Sequence, residues 1–171
     1  METPLTRAFR FANDLKGDLA RISLPPAEGR ASEYEPVVYF SLVRGTRSYI
    51  EKIVHQVNGT YHNAWYDACA VMIRRLVETL LIEAFEHDHL DGKVKNGAGD
   101  FLQLDDLIGK ALAEASWNLG RSTKRALGSI KRVGDRSAHS RRFIAQRQDI
   151  DRYIDDLRIV VQELTILAGM K

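Results

Sequence analysis

The chain has 171 residues, 44% hydrophobic and 28% charged, with 25 Lys and Arg against 23 Asp and Glu for a net charge of +2. That length suffices for one domain that buries about 70% of the surface its unfolded form exposes, so folding requires neither a disulfide nor a metal. The single cysteine, Cys69, excludes an internal disulfide and suits a reducing compartment; with no leader-like start at Met1-Glu2-Thr3-Pro4 and no apolar run of membrane-spanning length, a cytoplasmic protein without membrane association is expected.

Taken in chain order, Leu5 to Ile22 places Leu5, Ala8, Phe9, Ala12, Leu15, Leu19 and Ile22 at helical spacing. Leu24-Pro25-Pro26 stops that helix, and Ala27 to Pro36 is a polar linker. Val37 to Val43 is β-branched and aromatic, as in a short strand or an extended lead-in. Ser48 to Val57 follows as a helix with Tyr49, Ile50, Ile53, Val54 and Val57 inward, ended or kinked by Asn58-Gly59. Asn63 to His87 is a long helix whose stripe runs Trp65, Ala68, Cys69, Met72, Ile73, Leu76, Leu80, Ala84 and Phe85. Val71, Val77, Leu81 and Ile82 widen that stripe, which marks the central helix.

Gly92 to Gly99 is a glycine-rich loop, and Phe101 to Ala115 a further helix. Thr123 to His139 is a basic helix with Leu127, Ile130 and Val133 inward. The last helix has Asp149 as its cap, an inward stripe from Ile150 to Leu167, and Gly169 as its stop. The fold class expected is all-α: a bundle of four to five main helices over residues 46–171, with residues 1–45 as an N-terminal helix and linker.

Charge is unevenly distributed. Arg121 to Arg147 holds nine basic residues and one acid, Asp135, for +8; the rest of the chain holds 16 basic and 22 acidic residues, for −6. Such asymmetry points to a polyanionic partner, or to a face whose charges pair with acids elsewhere in the fold. Seven residues at 100° each return His139 to within about 20° of Arg132 on a helix, with Asp135 and Arg136 flanking. Gly134 inside this run weakens the helix by about 1 kcal/mol relative to alanine, which makes sense where another helix packs close or the helix bends.

The run Gly134-Asp135-Arg136-Ser137-Ala138-His139 resembles the Gly-Asn-x-x-Ala-His signature of a bacterial HEPN-like group (higher eukaryotes and prokaryotes nucleotide-binding). Ala68 to Glu78 is similar to that group's earlier helix, and Leu104 to Leu112 to its third; the resemblance spans roughly Ser48 to Ala168. It implies a HEPN-like helical bundle and, for many members, a metal-independent ribonuclease that works as a dimer, in some cases as a toxin or phage-defence effector. The family's arginine and histidine would be Arg132 and His139, with six residues between them. Val133 departs from the polar residue that usually follows the arginine.

The residue types suit that chemistry. Cleavage by internal transfer requires a base for the 2′-OH, positive charge on the phosphorane and an acid for the leaving oxygen. Histidine titrates near neutral pH, and arginine stays charged and grips phosphate in a fork. Arg132, Asp135, Arg136 and His139 are therefore the candidate catalytic set, with Asp135 orienting His139 or Arg136. Lys124, Arg125, Lys131, Arg141 and Arg142 are the candidate RNA-backbone contacts. One histidine cannot serve as acid and base in one step, so a homodimer with a composite cleft is expected, and a regulatory protein partner is an open alternative for a non-catalytic module.

A structural reading of the same residues has Asp135 and His139 capping the helix and Arg136 pairing with acids of the last helix. Arg74, Arg75 and Glu78 are helix neighbours suited to an ion pair. Glu86-His87-Asp88-His89, with His55 or His62, matches no established metal-ligand spacing, and neither a phosphate-cradling loop nor a nucleophile elbow occurs, so no metal or cofactor is expected.

Overall fold

The computed structural model describes residues 35–171 together with Thr6, Arg7, Phe9, Arg10, Ala12 and Asn13. Those six N-terminal residues have helical backbone and are exposed. The remainder of the helix expected over 5–22, and the linker up to residue 34, lie outside the described residues.

The chain enters the bundle through bends at Val37 and Val38, is extended at Tyr39, turns at a short 3-10 segment, Phe40–Leu42, and begins α1 (Ser48–His62). No strand forms here, which corrects one of the two readings of Val37 to Val43. Val37 and Val38 are fully buried, and the Asn58 side chain takes the place of a strand partner. Its Oδ1 accepts from the Val38 N–H at 3.0 Å, and its Nδ2 donates to the Val38 carbonyl at 2.9 Å. With both backbone groups satisfied by one amide, the segment has no need of a ladder. Asn58-Gly59 also fails to end α1. The helix runs on to His62 and stops at Ala64, whose φ of 59° breaks the helical path.

α2 (Tyr66–His87) is the central helix and packs against α1, α3 (Leu104–Ala113), α4 (Arg121–His139) and α6 (Ile154–Leu167). Cys69, Ile73, Leu76, Val77, Leu80, Leu81, Ala84 and Phe85 are buried along it, as its broad apolar surface predicts. Trp65 departs from that stripe. It sits just before α2 and is 51% exposed. A second 3-10 turn, Asp91–Val94, and a lone bridge between Lys95 and Phe101 lead into α3, which starts at Leu104 rather than Phe101. The final helix is divided. Asp149 belongs to a short α5 (Arg147–Asp151), where it closes a capping box with Gln146, and α6 begins afresh at Ile154. Gly169, at φ 64°, ends α6 as its position predicts. The all-α bundle is therefore as expected. Among the described residues no helix is long and apolar enough to cross a membrane.

Candidate nucleic-acid interface

α4 owes its amphipathic character to a sharp division of residue types. Thr123, Ala126, Leu127, Ile130 and Gly134 are buried against the bundle. On the opposite side, Arg121, Lys124, Arg125, Arg132, Arg136 and His139 fall within an arc of about 120°. From Arg121 to His139 the helix rises about 27 Å, so these groups form a long cationic ridge. All six are exposed.

Most of this charge meets no carboxylate among the described residues. Of the nine basic residues from Arg121 to Arg147, three make ion pairs among the described residues. Lys131 bridges Asp105 at 3.1 Å and Asp135 at 2.8 Å, Arg147 reaches Asp151 at 3.4 Å, and Arg125 comes no nearer than 3.8 Å to Asp156. Arg136 stacks on the Phe143 ring, its Cζ 3.9 Å from the centroid. Arg121, Lys124, Arg132, Arg141 and Arg142 are exposed and meet no carboxylate among the described residues. Among the described residues the segment is therefore not fully salt-bridged, and Arg136 pairs with no acid of the last helix.

Gly134 sets the distance between α4 and α2. A Cβ built there would stand 2.7 Å from the Arg74 Cβ and 3.1 Å from the Ala70 carbonyl oxygen. The glycine is thus explained by close helix approach rather than by a bend. The same approach brings Arg74 Nε to Asp135 Oδ1 at 2.9 Å, while its Nη1 reaches Glu78 at 3.4 Å. Arg75 is exposed and does not share this pairing. Burial pushes the Asp135 carboxyl up, but hydrogen bonds from Lys131 and Arg74 outweigh it and hold the group below the ordinary aspartate value. Hydrogen bonds to Asp135 and Asp105 raise Lys131 in turn. Asp135 is therefore occupied in tying α4 to α2, and it does not orient His139 or Arg136. This cross-helix bridge was not legible in the sequence: Arg74 and Asp135 lie 61 positions apart.

An open groove of about 490 Å³ lies beside this bridge, lined by Arg74, Gln103, Asp105, Lys131, Asp135, Arg136, His139 and Ser140. The structure thus gathers three of the four candidate catalytic residues around one groove. Arg132 shares their helix face but does not line it. Among the described residues the His139 side chain makes no hydrogen bond or ion pair, so its ring nitrogens are open to a ligand.

A larger cavity of about 530 Å³ lies near Tyr61, Arg147, Asp151 and Arg158. Its charges are matched locally. Tyr61 Oη donates to Asp151 and accepts from Arg147 Nε, and Arg158 binds Glu35, Asp155 and the carbonyls of Pro36 and Val37. These contacts clamp the entry segment to α6 and tie α1 to α5. Among the described residues no group of three or more His, Cys, Asp or Glu is placed to hold a metal ion. In the Glu86 to His89 run, Asp88 instead accepts a hydrogen bond from Trp117 Nε1 at 2.6 Å. Compared with known proteins, the chain matches no protein family, no curated protein and no solved structure.

Proposed function

We propose that the outward face of α4 binds the phosphate backbone of RNA, and that two copies of the chain, paired with their His139 groups facing, cleave it without a metal. The observation that carries this reading is the ridge itself: five cations that meet no carboxylate among the described residues, on and just beyond a helix that ends in an exposed imidazole. A fold gains nothing from leaving so many like charges unpaired, whereas a polyanion releases its counterions on meeting them. The HEPN-like resemblance leads to the same reading from a separate direction.

The chemistry is internal transfer. His139 of one copy takes the proton of a 2′-OH, whose oxygen attacks the adjacent phosphorus; the bond from phosphorus to the 5′ oxygen breaks, and His139 of the second copy protonates that oxygen. The products are a 2′,3′-cyclic phosphate and a free 5′-OH, with arginines of the ridge stabilising the charge on the phosphorane. A second reading, an RNA-binding module without chemistry, is favoured by one observation: Asp135 is spent on Arg74 and Lys131 and lends His139 no support.

The test is incubation of the protein with end-labelled single-stranded RNA in EDTA. Engagement of these five cations predicts a slope of log affinity against log salt of about −3.5. Cleavage that stops in His139→Ala while binding persists is the expected result. Binding without cleavage leaves the second reading alone standing. No binding at 50 mM salt refutes both.

A further inference from the structure

We infer that Arg136, laid over the ring of Phe143, is a platform on which a nucleobase stacks beside His139. This rests on the RNA reading above and adds to it a mode of base contact that phosphate-binding cations do not supply.

Three observations converge on Arg136. Its Cζ is 3.9 Å from the centroid of the half-buried Phe143 ring, so the guanidinium is held over the ring face. No carboxylate claims it among the described residues; the neighbouring acid, Asp135, is taken by Arg74 and Lys131. It also lines the same open groove as His139, whereas Phe143 does not. With Cζ over the ring and the residue lining the groove, a guanidinium lying parallel to the ring would have one face covered and the other presented outward.

A planar cation fixed in this way has the shape and polarisability of half a stacking sandwich. Unpaired bases stack on arginine planes as they do on aromatic rings, and the energy is nearly independent of base identity. A base in a duplex is already stacked on both faces and cannot occupy the site. The preferred ligand is therefore single-stranded RNA, with one unstacked base on Arg136 and its sugar and phosphate near His139. Lysine cannot substitute, because its ammonium is a point charge with no plane to offer.

The experiment compares two single-stranded RNA oligonucleotides of equal length and charge, one bearing bases throughout and one abasic at its central positions. Both are titrated against the full chain at several salt concentrations. The wild type should bind the base-bearing strand about tenfold more tightly, the scale of one stacked base. Arg136→Lys, an exposed substitution that preserves charge, should abolish that preference and leave the salt slope unchanged. Phe143→Leu should reduce the preference by releasing the guanidinium from its fixed plane. Equal wild-type affinity for the two strands, or a preference that survives in Arg136→Lys, overturns the platform while the backbone-binding reading stands. Failure of both strands to bind removes the α4 reading, and the platform falls with it.

Discussion

Gly134→Ala adds one methyl group where α4 crosses α2, and two opposed effects decide its sign. Alanine is the better helix former, a gain of about 1 kcal/mol in a helix interior. Against this, the new Cβ would lie 2.7 Å from the Arg74 Cβ and 3.1 Å from the Ala70 carbonyl oxygen. Comfortable carbon–carbon contact begins near 3.5–4.0 Å. Both obstructing atoms are fixed to the α2 backbone and cannot rotate aside, so the helices must part by about 1 Å. Overpacking of this kind costs about 1–3 kcal/mol, and the displacement also stretches the 2.9 Å bond between Arg74 and Asp135. The net expectation is a loss of about 1 kcal/mol, seen as a fall of about 3 °C in Tm for a chain of this size.

Gly128→Ala is the control. Gly128 is exposed in the same helix, and a Cβ there would meet nothing within 4 Å, so only the propensity term acts and Tm should rise by about 3 °C. Thermal unfolding of the three proteins, followed by circular dichroism at neutral pH, checks the pair. An unchanged or raised Tm in Gly134→Ala would refute the claim that this crossing is rigid.

Asp135→Asn should lower stability at pH 7 by about 1 kcal/mol, since it weakens the links to both Arg74 and Lys131 at a half-exposed site. Because the folded carboxyl titrates below its ordinary value of 3.8, the wild type loses this contribution as pH falls below about 4. The urea midpoint of Asp135→Asn should therefore fall less steeply with acid, and parallel curves would contradict the linkage. At alkaline pH the sign reverses. Burial pushes the Cys69 thiol up to about 12, and burial together with the hydrogen bond to Glu83 pushes Tyr49 up to about 12. Both groups hold their protons longer when folded, so stability should decline as pH rises above 9, by at most about 1.4 kcal/mol per pH unit for each. Cys69→Ala should flatten the first part of that decline, and stability that is constant from pH 8.5 to 11 would count against it.

Much of the architecture was legible because hydrophobic periodicity reports directly on burial. The wide apolar surface of residues 69–85 identified the central helix, and the inward positions Leu127 and Ile130 were readable from spacing alone. Helix ends were less so. Asn58-Gly59 carries the composition of a stop, yet α1 continues through it, because the Asn58 amide is committed to Val38 twenty positions earlier. The real stop is an alanine at positive φ, which no local rule marks. Asp149 carries a cap signal that proved genuine, but for a separate short helix rather than for the long one.

At the site, the amino-acid sequence alone determined that cations and an imidazole share one face of one helix, since 100° per residue needs no partner to enforce it. Only the tertiary structure decided which of those charges remain free. Ion pairing depends on where distant residues arrive: Arg74 takes Asp135, Lys131 is drawn in with it, and Arg136 is left to Phe143. A contact across 61 residues is set by packing of whole helices, and no local pattern contains it.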